Sequence, residues 1–113
     1  MIKTFLKLLV AGSALFLADQ VAAQTFTVLK DFSPMLNGTN SDGANPESGL
    51  TLSGNMLYGT TYSGGRINAG TVFRINTDGM GFAVLKDFDG SDGVNPYATL
   101  TVSGNTLYGT TCI

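Results

Sequence analysis

Beyond residue 24, apolar residues occur in short runs rather than at helical spacing. Glycine- and asparagine-rich breaks separate the runs, and the Gly54-Asn55 pair is typical of a tight hairpin turn. Four strands are therefore predicted, at residues 49–53, 56–62, 70–75 and 82–88. This pattern predicts an all-β chain in which hairpins follow one another.

Two parts of the chain are near-copies. Residues 41–61 (SDGANPESGLTLSGNMLYGTT) match residues 91–111 (SDGVNPYATLTVSGNTLYGTT) at 15 of 21 positions. A second block, FTVLKDF at residues 26–32, recurs as FAVLKDF at residues 82–88. These blocks define repeat copies over about 26–81 and 82–113, the second of them incomplete.

A period near 50 residues with four strands is typical of a propeller blade. Apolar side chains on both faces, such as Val72 with Phe73 and Val84 with Leu85, favour strands covered on two sides. The expected fold is therefore β-propeller-like, with four-stranded blades and about one and a half repeats; a β-sandwich is the alternative. We expect open strand edges and possible self-association through them, either because the chain is a fragment or because several chains close a ring.

The first 23 residues have the composition of a secretory signal peptide. Lys3 and Lys7 precede an apolar run at residues 8–18, and small residues end the segment at Val21-Ala22-Ala23. The alternative, an uncleaved anchor, is disfavoured because a bilayer span needs about 20 apolar residues. We expect cleavage before Gln24, a secreted or cell-surface β-repeat region at 24–113, and no stable membrane insertion after cleavage.

Composition narrows the possible chemistry. The chain has no histidine, so the commonest general base and zinc ligand are missing. Six Lys and Arg against eight Asp and Glu exclude a basic nucleic-acid-binding face. The single cysteine, Cys112, leaves an internal disulfide impossible, and its role stays open between a plain thiol and an intermolecular disulfide. No catalytic residue is predicted.

Two weak binding candidates stand out. The loop DFDGSDGVN carries Asp87, Asp89, Asp92 and Asn95, whose oxygens could bind calcium. The same residues are typical of Asp-Gly turns, in which a short polar side chain bonds its own backbone, and this interpretation is favoured. Tyr62 and Tyr97 are the only tyrosines not repeated between the copies and could stack on an extracellular glycan, although packing within the fold is the simpler role.

One set of motifs is more specific. Tyr58-Gly59-Thr60-Thr61 is followed by Gly64-Gly65 and then by Gly70-Thr71-Val72-Phe73. The chain thereby resembles the GloVer-type choice-of-anchor tandem repeat family of secreted and surface bacterial proteins, with the second copy ending before its Gly-Gly element. The resemblance implies a propeller-like array and a non-catalytic structural or binding role. A lectin-like carbohydrate-binding module is the alternative, and part of an extracellular hydrolase is a weaker one.

Overall fold

The computed structural model describes residues 2–7, for which only the backbone is considered, and residues 24–113. Over these residues the chain is all-β without a helix, which confirms the predicted fold class. The strands are β1 (Ile2–Lys7), β2 (Thr25–Lys30), β3 (Thr51–Ser53), β4 (Met56–Thr61), β5 (Thr71–Asn76), β6 (Ala83–Asp87), β7 (Thr101–Ser103) and β8 (Thr106–Tyr108). They form three antiparallel sheets, β1-β2, β3-β4-β5-β6 and β7-β8.

The predicted signal peptide falls almost wholly outside this description. Residues 1 and 8–23 are not among the described residues, whereas β1 pairs with β2. Export and cleavage therefore stay predictions. Within the described part of the chain, no helix is long and apolar enough to cross a membrane.

The four predicted strands form one sheet in chain order. Ser53 pairs with Met56 across the two-residue turn, where Gly54 has a φ of 60°. A positive φ at the first central residue is the type II′ geometry, and its twist matches that of the flanking strands. The second copy repeats this hairpin between β7 and β8, with Gly104 at a φ of 58°. Local turn chemistry thus sets the register of both copies.

The core lies on one face of the four-stranded sheet. Along β5 the side chains of Thr71, Phe73 and Ile75 are buried, and those between them are half-buried or exposed. Phe32, which follows β2, packs edge-to-face on Phe73 with ring centroids 5.5 Å apart. The other half-buried side chains of this cluster are Leu29, Leu50, Leu57 and Phe82. Burying Phe73 and Ile75 contributes about 1.5 to 3 kcal/mol for each side chain.

The expected apolar burial on both faces is only partly met. Leu85 is 46% exposed, because the β5–β6 register passes from Val72↔Lys86 to Phe73↔Val84 and leaves it unpaired in a bulge. Leu52, at the β3 edge of the sheet, is 60% exposed. The sheet therefore has its buried core on the Phe73 face, while Leu85 and Leu52 stay exposed.

Candidate functional site

The Asn-Pro dipeptides of the two copies, Asn45-Pro46 and Asn95-Pro96, have the same local backbone arrangement. Ala44 N–H donates to the carbonyl of Ser63 at 2.7 Å, and Val94 N–H donates to the carbonyl of Ile113 at 2.9 Å. The next residues, Asn45 and Asn95, have left-handed backbones with φ of 55° and 54°. Asparagine tolerates this conformation better than most residues. The two copies thus present an Asn-Pro dipeptide in the same way.

The second of these dipeptides, Asn95-Pro96, packs against the first copy. The backbone N–H of Asn95 donates to the carbonyl of Ala69 at 2.8 Å, and its side-chain amide donates to the carbonyl of Tyr62, also at 2.8 Å. Pro96 is buried against Gly70, where a Cβ would come within 2.6 Å of the proline Cδ. We call this contact, formed by Asn95 and Pro96 on Tyr62, Ala69 and Gly70, the inter-repeat junction.

A further polar contact joins the copies beside the junction. The hydroxyl of Thr51 on β3 donates to the carbonyl of Leu100, which precedes β7. Leu100 is 6% exposed, and its side chain fits against Gly109, where a Cβ would lie 2.6 Å from the leucine Cδ2. The two copies are therefore held together by hydrogen bonds to backbone carbonyls and by the packing of Pro96 on Gly70, whereas the Leu100 contact with Gly109 lies within the second copy.

The two tyrosines singled out from the sequence meet at this junction. The rings of Tyr62 and Tyr97 are edge-to-face, with centroids 6.1 Å apart and an interplanar angle of 88°. Tyr97 is 57% exposed and Tyr62 is half-buried. At the position equivalent to Tyr62, the second copy has the exposed Cys112. The aromatic pair is thus a feature of the junction and not of each repeat.

The calcium candidates are divided between three places. Asp89 accepts from the backbone N–H and hydroxyl of Ser91, an Asx turn, and these hydrogen bonds lower the pKa of Asp89. Asp92 accepts from the ammonium of Lys86, which lowers the pKa of Asp92 and raises that of Lys86.

The remaining two candidates lie elsewhere. Asp87 accepts from the Arg66 guanidinium Nε at 3.0 Å and from the Arg66 backbone N–H at 3.3 Å. Asn95 belongs to the inter-repeat junction. No group of three or more potential metal-ligating side chains occurs within the described residues. The oxygens of this loop act as acceptors for the chain's own donors.

The first copy holds an ion pair that the sequence did not single out. The Lys30 ammonium lies 2.6 Å from Oδ2 of Asp42, which also accepts from the backbone N–H and hydroxyl of Ser33 at 3.0 Å each. The ammonium also lies over the Phe82 ring, 4.6 Å from its centroid. Asp42 is 7% exposed, and its Oδ1 has no hydrogen-bond partner among the described residues.

The charge of this buried carboxylate is compensated locally. Burial raises the pKa of Asp42, but the hydrogen bonds from Lys30 and Ser33 outweigh it, so the pKa lies below its ordinary value. Asp42 is therefore ionised at neutral pH, paired with the Lys30 ammonium. The Lys30–Asp42 ion pair, with the Lys30 ammonium over the Phe82 ring, thus connects the loop after β2 to the four-stranded sheet and stabilises the fold.

The residues of the repeat signature pack against one another. The hydroxyls of Thr61 and Thr71 are 2.8 Å apart, and Thr61 Oγ1 accepts from the Thr71 N–H at 3.1 Å; both residues are fully buried. A Cβ on Gly59 would come within 2.7 Å of Leu50 and would also meet the Phe73 ring. These residues are required by the close approach of neighbouring strands, and the threonine hydroxyls are already bonded to each other.

Comparison with known proteins supports this repeat interpretation. A family model described as the Gloeobacter/Verrucomicrobia repeat matches residues 12–112. The match confirms the family predicted from the motifs, and it begins inside the segment assigned above to the signal peptide. No curated protein and no solved structure matches the chain.

Proposed function

Because the chain belongs to the Gloeobacter/Verrucomicrobia repeat family, we propose that it is an exported, non-catalytic repeat module with a structural or binding role in a bacterial secreted or surface protein. The observation that carries this proposal is the inter-repeat junction. Asn95 makes two hydrogen bonds to backbone carbonyls of the first copy, and Pro96 is buried beside Gly70. The Asn-Pro dipeptide, which occurs in both copies, is thus used in the second copy to join it to the first.

Export is tested by expressing the full chain in a bacterial host and determining the mass and N-terminus of the protein outside the cytoplasm. The expected product begins at Gln24. The matched control is Ala23→Lys, which places a long charged side chain where a signal peptidase needs a small one, so it should retain residues 1–23. Wild-type chain that keeps Met1 and stays in the cytoplasm would contradict export.

A second candidate function, lectin-like glycan binding, is favoured by one observation. Tyr62 and Tyr97 come from different copies and form one aromatic pair, in which Tyr97 is exposed and Tyr62 is half-buried, beside the amide of Asn95. A tyrosine face can pack against the apolar face of a sugar, while neighbouring amides hydrogen-bond its hydroxyls.

The glycan hypothesis is tested on an array of bacterial cell-wall and host glycans. Tyr97→Ala should reduce binding at least about tenfold, which corresponds to about 1.4 kcal/mol. Tyr108→Ala is the matched control, because Tyr108 is 58% exposed and Tyr97 is 57% exposed. Equal binding by wild-type and Tyr97→Ala chains, or equal losses in both variants, would refute a site at the aromatic pair.

A further inference from the structure

We propose that Asn45 and Pro46 form a docking surface for another repeat of the same type, one that presents the backbone of a segment equivalent to residues 62–70. This inference rests on the structural role proposed above and names the partner of that role. It starts from the identity of the two Asn-Pro dipeptides in sequence, backbone conformation and local hydrogen bonding.

The two copies differ in whether this surface is occupied. Asn95 donates its backbone N–H and its side-chain amide to carbonyls of the first copy, whereas neither group of Asn45 has a partner among the described residues. Asn45 is exposed where Asn95 is half-buried, and Pro46 is half-buried where Pro96 is buried. The same surface therefore occurs once covered and once open within a single chain.

The covered copy defines what the partner must supply. It must present two carbonyl oxygens, equivalent to those of Tyr62 and Ala69, at the spacing that Asn95 bridges. It must also have a glycine at the position of Gly70, because a Cβ there would come within 2.6 Å of the docked proline. The Gly-Gly and Gly-Thr-Val-Phe motifs of this repeat supply such a segment, and an unrelated surface does not.

The strand order supports the same partner. The block FTVLKDF, which overlaps β2, is the counterpart of FAVLKDF. FAVLKDF contains β6, the last strand of the four-stranded sheet. Phe88 N–H, after β6, donates to the Gly70 carbonyl, so the fourth strand leads directly to the junction with the Gly70 segment. In this structure β1 occupies that edge of β2, since Ile2↔Lys30 and Lys3↔Val28 repeat the register of Val72↔Lys86 and Phe73↔Val84. A repeat docked on Asn45 would place its own third strand on β2 instead of β1.

The test uses the full chain with residues 26–81 duplicated in tandem, so that Phe26 follows Gly81 as Phe82 does in the natural chain. This protein has two copies of Asn45, one open and one facing the added repeat. Amide hydrogen exchange, resolved residue by residue with NMR, compares the two copies with Asn95. The internal Asn45 amide should exchange at least about tenfold more slowly than the terminal one and approach the rate of Asn95.

Two outcomes would overturn the proposal. One is an internal Asn45 amide that exchanges as fast as the terminal copy while Asn95 stays protected. The other is a duplicated chain that does not fold, because an added repeat that docks must leave the chain at least as stable as before. Neither outcome depends on export or on glycan binding, so a failure here is distinguishable from a failure of those proposals.

A pair of variants in the natural chain checks the premise independently. Aspartate keeps the shape of asparagine and tolerates the left-handed backbone, but it replaces the amide donor with a carboxylate. Asn95→Asp should lower the urea midpoint of unfolding, since the carboxylate would face the carbonyl of Tyr62. Asn45→Asp should leave the midpoint unchanged, and equal losses in both variants would contradict an open surface at Asn45.

Discussion

Substitution of Gly70 by alanine tests how closely the backbone of the first copy and Pro96 of the second pack around this residue of the inter-repeat junction. Gly70 has a φ of 93°, and an ideal Cβ at this position would lie 2.6 Å from Pro96 Cδ and 2.9 Å from the carbonyl oxygen of Tyr62. The carbonyl oxygen of Thr61 is closer still. Because two of these neighbours are backbone atoms, the crowding cannot be relieved by a side-chain rotation.

The expected loss of stability has two parts. An alanine held at positive φ costs about 1 to 2 kcal/mol. Forcing a methyl group into a filled site costs a further 1 to 3 kcal/mol, roughly. Gly70→Ala should therefore lower the free energy of unfolding by about 2 to 5 kcal/mol. Gly38 provides the matched control, because its φ is 82° and no atom lies within 4 Å of an added Cβ.

The measurement is urea unfolding at 25 °C, monitored by circular dichroism for the wild-type chain and both variants. Gly38→Ala reports the backbone strain alone, so the difference between the variants, about 1 to 3 kcal/mol, measures the crowding at Gly70 by the Thr61 and Tyr62 carbonyls together with Pro96 of the second copy. Equal losses for Gly70→Ala and Gly38→Ala would refute the close packing around Gly70 on which the inter-repeat junction is built.

Three further predictions concern the buried hydroxyls and the carboxylates. Thr61→Val should lower the free energy of unfolding by about 2 kcal/mol because it removes the buried hydroxyl to which both the hydroxyl and the N–H of Thr71 are bonded. Thr111→Val, at the half-buried equivalent position, should cost less than about 1 kcal/mol in the same urea experiment. Asp42→Asn should destabilise the chain by about 1.5 to 3 kcal/mol at pH 7, because it removes the charged acceptor of the hydrogen bonds from Lys30 and Ser33. The folded-state pKa of Asp42 is lowered, so that stabilisation is complete above the unfolded pKa of about 4 and is lost as the pH falls through the folded value. The stabilities of the wild-type chain and the variant should therefore converge below about pH 4. A constant difference down to about pH 2 would contradict the pairing of Asp42 with Lys30. Millimolar calcium should leave the melting temperature unchanged, since the carboxylates at residues 87–95 already accept hydrogen bonds from the chain, and a rise of several degrees would instead support the calcium hypothesis.

The elements that the sequence predicted well are those determined by neighbouring residues. Gly54-Asn55 sets a two-residue turn, and glycine- and asparagine-rich breaks separate the runs that form β3 to β6, so the order of four strands follows from local patterns. Exposure of Leu85 did not follow, because it results from a bulge in the pairing of β5 with β6. A bulge depends on how two strands pair, and the sequence of neither strand alone indicates it.

In the candidate site, too, local contacts follow from the sequence and long-range contacts do not. Asp89 and Ser91 form the turn that their spacing suggests. The pairing of Tyr62 with Tyr97 and of Lys30 with Asp42 depends on how distant segments pack, and spacing alone does not specify it. Aligning the two copies would have identified one of these pairs, since Lys86 with Asp92 repeats Lys30 with Asp42.

Strand β6 completes the four-stranded sheet but lies at the start of the second sequence copy. The boundaries of the sequence repeat therefore differ from the boundaries of the sheet. A gene duplication that inserts one whole period would join equivalent strands wherever its break points fall, because the strand lost at one end is restored at the other. Breaks inside a sheet are then as acceptable as breaks between sheets. Chains of this kind can therefore evolve in length by whole periods without passing through an intermediate that lacks a strand.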